Sequence, residues 1–283
     1  MNGPVGFVGL GQMGRPMALR LADWPGGLWV YDVDPSATAK LAEAGAKVAQ
    51  SVRELAEHAP FVSVMVRDDE QVRSVLTELL TGASAGTTVA VHSTIAPGTP
   101  AELAALAAPS GVDVLDAPVS GGFMGATDGR LAIMVGGADG AVERSRPVLE
   151  RMGALVAHLG PVGAGTRAKL ARNLLHFVAF TAATEAARLA EAAGIDLVEL
   201  GKIVRHTDAI TGGPGSILLR DTTAPVARDD PWFRILDNVR LLGEKDLRFA
   251  LELADELDVQ APLARLALDG LGTGLGVTTK EDQ

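Results

Sequence analysis

Up to about residue 160 the apolar positions follow two alternating rhythms. Short continuous runs at residues 5–9, 28–31, 46–48, 61–65, 87–91 and 113–117 predict strands. Between them, residues 15–22, 36–44, 52–58, 69–80 and 100–107 carry apolar side chains at helical spacing. Such alternation predicts a mostly parallel, doubly wound sheet with ligands at the carboxyl ends of its strands. Two more strands are expected at residues 131–135 and 154–159, and the glycine-rich stretch 160–165 reads as a boundary. A long helix then runs from about residue 166 to 193, free of proline and rich in Ala, Leu and Glu. Its middle, residues 174–184, is apolar nearly all round, which predicts burial on several sides. Beyond it only helical stretches recur, at 197–206, 215–220, 239–257 and 262–270, with loops at 211–215 and 222–230. The expected architecture is α/β: a doubly wound parallel-sheet domain over residues 1–163 and an all-helical domain over 164–283, joined by the long helix.

The first strand leads into Gly9, Leu10, Gly11, Gln12, Met13 and Gly14, a G-x-G-x-x-G placed between a strand and a helix. Glycines there serve a tight turn, close approach to a pyrophosphate and helix–strand packing. A glycine-rich turn alone is weak evidence. Here the second strand ends in Asp32, near the offset of about 20 residues at which an acid meets the adenosine ribose. The two together predict a Rossmann-type dinucleotide site. Asp32 repels a 2′-phosphate, Asp34 adds to the repulsion, and no Arg, Lys or Ser follows directly. NAD is therefore expected over NADP.

Composition narrows the classes further. A net charge of -10 and a pI near 5.0 argue against a sequence-independent grip on nucleic acid. Without cysteine there are no disulfides, no thiolate catalysis and no Cys-ligated metal, and the five histidines show no metal-ligand spacing. The apolar stretch of the long helix, interrupted by Arg172, Asn173 and His176, is shorter than the roughly 20 residues of a membrane span. The chain enters a strand pattern almost at once, leaving no room for a secretory signal. A cytoplasmic protein is expected.

Strand ends are where chemistry should gather: Val66 and Arg67, then Ser93 and Thr94, then Ser120, Gly121 and Gly122. Thr94 suits a ribose or substrate hydroxyl, or only a turn. Ser120 and the two glycines suit a carboxylate, through converging amides and a hydroxyl, or simply a turn. Lys169 and Asn173 stand one turn apart on the same face of the long helix. Taken alone they read more readily as a snorkelling lysine and a local cap than as a site, a balance that the rest of the chain reverses.

In order along the chain, these motifs resemble the β-hydroxyacid dehydrogenase family, which includes 3-hydroxyisobutyrate dehydrogenase and tartronate semialdehyde reductase. The matching stretches are residues 9–14, Ser93 and Thr94, residues 116–122, residues 163–173, and Lys245, Asp246 and Leu247. The length excludes the long 6-phosphogluconate dehydrogenases, to which the family is related. The resemblance implies NAD-linked oxidation of a small 3-hydroxy acid, or reduction of the matching semialdehyde, by a homodimer or homotetramer. It makes Lys169 the acid/base and Asn173 the residue that orients the substrate. Ser120, Gly121 and Gly122 would hold the substrate carboxylate, while Val66, Arg67, Thr94 and Lys245 line the nicotinamide side. Lys245 would also help lower the Lys169 pKa by like charge. An imine reductase, lacking the family's lysine, and a non-catalytic NAD(P)-binding interaction protein are the alternatives. Arg67, His92 and Asn238 depart from the family pattern, and Phe123 and Met124 are bulky, which bears on the substrate rather than on hydride chemistry.

Overall fold

The computed structural model describes residues 3–218 and 220–277. The chain divides into two compact units, Met1–Arg172 and Asn173–Gln283.

In the first unit six strands form one parallel sheet: β1 (Val5–Val8), β2 (Leu28–Tyr31), β3 (Lys47–Val48), β4 (Phe61–Val64), β5 (Thr88–Val91) and β6 (Asp113–Asp116). Their order is β3-β2-β1-β4-β5-β6. Strands β1, β4 and β5 are buried throughout, which is why they read as unbroken apolar runs rather than alternating ones. Helices α1 (Gly14–Leu19), α2 (Ala39–Glu43), α3 (Val52–His58), α4 (Asp69–Leu80) and α5 (Thr99–Ala107) connect them. One face packs Phe7, Met17 and Leu21, and the other packs Val62, Leu76, Leu79 and Leu103. The helix expected over residues 36–44 is split. A 3-10 turn at Pro35–Thr38 comes first, because Asp34 accepts from the Ser36 amide and starts a tight turn before α2.

The chain then leaves the parallel sheet. Strands β7 (Val119–Ser120), β8 (Leu131–Val135) and β9 (Gly153–His158) make a separate sheet, with β7 antiparallel and β9 parallel to β8. Two helices here were not expected from the sequence, α6 (Gly122–Asp128) and α7 (Asp139–Met152). Charged residues and the internal Pro147 mask α7, yet Ala141, Val142, Val148, Leu149 and Met152 recur at helical spacing and are buried.

Helix α8 (Ala164–Ala192) starts two residues before its expected position, and the division between the units falls inside it. The second unit continues with α9 (Leu197–Thr211), a 3-10 turn at Gly213–Ile217, α10 (Pro231–Glu256) and α11 (Pro262–Leu275). The helix expected at residues 215–220 is replaced by that turn, and Leu219 lies outside the described residues. Helix α10 begins eight residues earlier than expected. Asp230 caps it by accepting from the Trp232 amide, and Pro231 fits its first turn.

The middle of α8 is not covered within its own unit, with Leu174, Phe177 and Phe180 exposed at 68%, 59% and 55%. An apolar pattern demands a cover but does not say that the same unit provides it. Glu185, further along, is buried instead and accepts from the amides of Leu263 and Ala264 at the start of α11. Among the described residues, no helix is long and apolar enough to cross a membrane.

Candidate functional site

The carboxyl ends of β1, β2, β4 and β5 surround a cavity of about 650 Å³. Gly9, Gly11, Gln12, Met13, Gly14, Asp32, Val66, Arg67 and Thr94 line it, so nearly all the residues expected at a dinucleotide are brought together. The three glycines are constrained differently. At Gly9, where φ is +90°, a Cβ would overlap the Met65 carbonyl oxygen, and at Gly14 it would overlap the Gly9 carbonyl oxygen. At Gly11 a Cβ would meet nothing of the protein and would point into open space. Gly11 is thus a cradle that a side chain would fill, as close approach of a pyrophosphate requires. No side chain caps α1, and in its first turn the Arg15 amide donates to the Gly11 carbonyl at 3.1 Å. The residues present fit a dinucleotide.

Asp32 is held at the rim by its neighbours. Its Oδ2 accepts from the Leu10 amide at 2.6 Å and its Oδ1 from the Asp34 amide at 2.8 Å. Leu10 itself turns its side chain into the core, so only its backbone serves this site. Ser93 is a residue to which the sequence reading gave no separate role. Its hydroxyl donates to the Val66 carbonyl at 2.7 Å and accepts from the Val66 amide at 3.0 Å, fixing the wall formed by Val66 and Arg67.

A second cluster lies where β6 passes into β7. Lys169 is buried, and its Nζ donates to the Val119 carbonyl at 2.7 Å, next to Ser120. Burial, and after it the positive charge of Arg172, holds the Lys169 amine below the ordinary lysine value. Lys245, in α10, pairs with Asp246 at 3.0 Å and stands over the Phe249 ring. Gly121 and Gly122 are exposed and adopt φ values of +133° and +61°, a turn that glycine makes without strain. Asn173, half-buried, follows Lys169 by one turn of α8.

Asp116 sits at the base of this cluster. It is 1% exposed, and its carboxylate accepts from the Gly163 amide at 2.7 Å and the Thr166 amide at 2.6 Å. Burial raises its pKa, while those amide bonds work in the opposite direction. A lone acid in the apolar run Val114, Leu115 and Ala117 was the signal available in the sequence. His92, the departure before Ser93, is also buried. Its ring meets the Ala117 carbonyl at 2.8 Å and the Ser63 hydroxyl at 3.0 Å, and burial lowers its pKa to about 4. No cluster of His, Asp or Glu able to hold a metal occurs among the described residues.

A family model described as the NAD binding domain of 6-phosphogluconate dehydrogenase matches residues 4–160. Another, described as NAD-binding of NADP-dependent 3-hydroxyisobutyrate dehydrogenase, matches residues 163–273. An uncharacterised oxidoreductase of Mycobacterium tuberculosis is 52% identical, over 96% of this chain and 93% of its own length. The NAD-dependent L-serine dehydrogenase of Pseudomonas aeruginosa is 36% identical, over 93% of this chain and 89% of its own. A crystal structure of an oxidoreductase from Mycobacterium avium 104 superposes with a TM-score of 0.94 at 49% identity, covering 97% of this chain and 99% of that one.

Proposed function

The chain belongs to the β-hydroxyacid dehydrogenase family, that of 3-hydroxyisobutyrate dehydrogenase, and from that premise we propose that it is an NAD-dependent dehydrogenase of a small 3-hydroxy acid, or a reductase of the matching semialdehyde. The observation that carries this reading is Lys169, buried, with its Nζ fixed on the Val119 carbonyl beside the Ser120 turn. The bound nicotinamide would accept or supply the hydride, and the protein manages the proton and the geometry.

An alcohol loses hydride only as its hydroxyl proton leaves, so a base must stand ready. A free lysine, with a pKa of about 10.4, is too protonated near neutrality to serve well. Burial and Arg172 lower that value for Lys169 and enlarge the fraction of neutral amine. In the reverse direction the ammonium gives its proton to the carbonyl oxygen and stabilises the negative charge developing there. The Val119 carbonyl takes one N–H of Nζ and thereby aims the others. The Ser120 hydroxyl and the amides of Gly121 and Gly122 suit the substrate carboxylate. Asn173, one turn beyond Lys169, suits the reacting hydroxyl.

Asp32 supports NAD over NADP. Two backbone amides hold it at the cavity rim, where a 2′-phosphate would meet a fixed negative charge. L-Serine, on which the Pseudomonas relative acts, is itself a 3-hydroxy acid, which favours that substrate class here. A panel of short hydroxy acids, assayed with NAD and NADP in parallel, tests the proposal. Turnover should be confined to 3-hydroxy acids, with kcat/KM for NAD more than tenfold above NADP, and Asp32→Ala should narrow the gap. A tenfold preference for NADP, about 1.4 kcal/mol the other way, would overturn the cofactor assignment. Tight NAD binding without turnover on any hydroxy acid would overturn the enzyme.

A further inference from the structure

We infer that Asp116 is a positioning residue for Lys169: its carboxylate ties the start of α8 to the same backbone segment that receives the lysine Nζ. The inference rests on the reading of Lys169 as the acid/base and names the group that sets its place.

The geometry forms a closed circuit. Gly163, which directly precedes α8, is buried together with Thr166 and Lys169, which are three apart on one face at the start of that helix. The Gly163 and Thr166 amides donate to the Asp116 oxygens, and Lys169 reaches the carbonyl of Val119, three residues beyond Asp116. That segment is itself immobilised. Asp116 exchanges backbone hydrogen bonds with Gly136 at 3.1 and 2.8 Å. The Ala117 amide donates to Val91 at 2.8 Å, and the Pro118 carbonyl accepts from Met134 at 3.0 Å. Nothing else fits between the parts: a Cβ on Gly136 would overlap Asp116 Oδ1, and one on Gly165 would overlap backbone atoms of Met134 and Asp116.

Charge alone does not account for Asp116. No cation pairs with it among the described contacts, and its donors are backbone amides at a helix start, which favour a carboxylate. Arg172 is the charged group whose field reaches Lys169. His92 touches the segment through the Ala117 carbonyl and is neutral above about pH 4. Aspartate is thus used here as a two-point clamp. Asparagine keeps the shape but has one accepting oxygen, so it leaves one of the two amides unmatched.

The test is kinetic, on the full-length enzyme with its best hydroxy acid. Asp116→Asn should lower kcat by about ten- to a hundredfold, the scale of a misplaced catalytic group, while NADH affinity, read by fluorescence, stays within about twofold. With α8 released, Lys169 gains access to water, and the limb on which oxidation rises should move to higher pH. In a Lys169→Ala background Asp116→Asn should cost nothing further, because the two act as a unit. Asp116→Glu retains both acceptor oxygens and should recover part of the loss. Asp113→Asn, at the far end of β6 in a surface pair with Arg144, should leave activity unchanged. Unchanged turnover and an unmoved limb in Asp116→Asn would overturn the inference. So would a limb moved to lower pH, or an equal further loss without Lys169. If neither Asn nor Glu at this position yields folded, NADH-binding protein, Asp116 serves the fold alone and the inference is wrong. A Lys169→Ala enzyme with full turnover would instead bring down the parent reading.

Discussion

Gly9, Gly11 and Gly14 look alike in the sequence and do three different things in the structure. Gly9 and Gly14 are held by the protein itself, since a Cβ at either would overlap backbone, whereas Gly11 faces open cavity. Gly11→Ala should therefore leave the melting temperature of the NAD-free protein nearly unchanged while weakening NAD binding by tenfold or more. Gly9→Ala and Gly14→Ala should destabilise the free protein first. Calorimetry of the three variants with and without NAD separates these outcomes. A Gly11→Ala protein that binds NAD normally would remove the pyrophosphate from this turn. The dinucleotide side of the site was legible in the sequence because its signals are local: a glycine spacing, a strand, and an acid at a fixed offset. The bonds that Ser93 and Asp116 make were not, because their partners lie 27 and about 50 residues away.

At the scale of elements, strands and most first-unit helices were readable from periodicity, while α7 was hidden behind charges and Pro147. The separate sheet of β7, β8 and β9 was also unreadable, since a strand pattern does not state its neighbour. His92 shows what links the elements that were found. It joins β5 to the Ala117 carbonyl after β6 and to Ser63 in β4, with the carbonyl-facing nitrogen carrying the proton and Nε2 accepting from the hydroxyl. Its folded pKa of about 4 lies below the ordinary 6.5, so the unfolded chain binds a proton between those values and the folded chain does not. Stability from this group is therefore present above about pH 6.5 and is lost as pH falls toward 4. Between pH 7 and 5 the loss should be on the order of 2 kcal/mol. Denaturant unfolding of wild type and His92→Asn over that range checks it. The variant starts less stable, and its curve should be flatter than that of wild type. The difference between the two proteins cancels the opposite contribution of Asp116, whose pKa is raised. Parallel curves would show that His92 does not titrate as described.

For the molecule as a whole, the second unit exposes large apolar side chains. Leu174, Phe177 and Phe180 of α8, Ile210 of α9, and Leu266 of α11 are each more than half exposed. Patches of that kind mark association surfaces, and we propose a second copy of the chain as the cover. Light scattering should report a dimer or larger assembly at micromolar concentration, and Phe177→Glu with Phe180→Glu should shift it toward monomer. A well-behaved monomer across a wide concentration range would contradict the proposal.

The proton step is decided by the turnover of wild type and Lys169→Ala, with NAD and the best 3-hydroxy acid, as a function of pH. Wild-type oxidation should rise with pH through the lowered Lys169 pKa, because the neutral amine is the working form. Lys169→Ala should lose that limb and about a hundred- to ten-thousandfold in kcat, with NAD affinity nearly intact. Lys169→Arg should not restore it, since a guanidinium stays protonated. A Lys169→Ala enzyme that keeps most of its turnover and the same pH profile would remove Lys169 from the proton transfer.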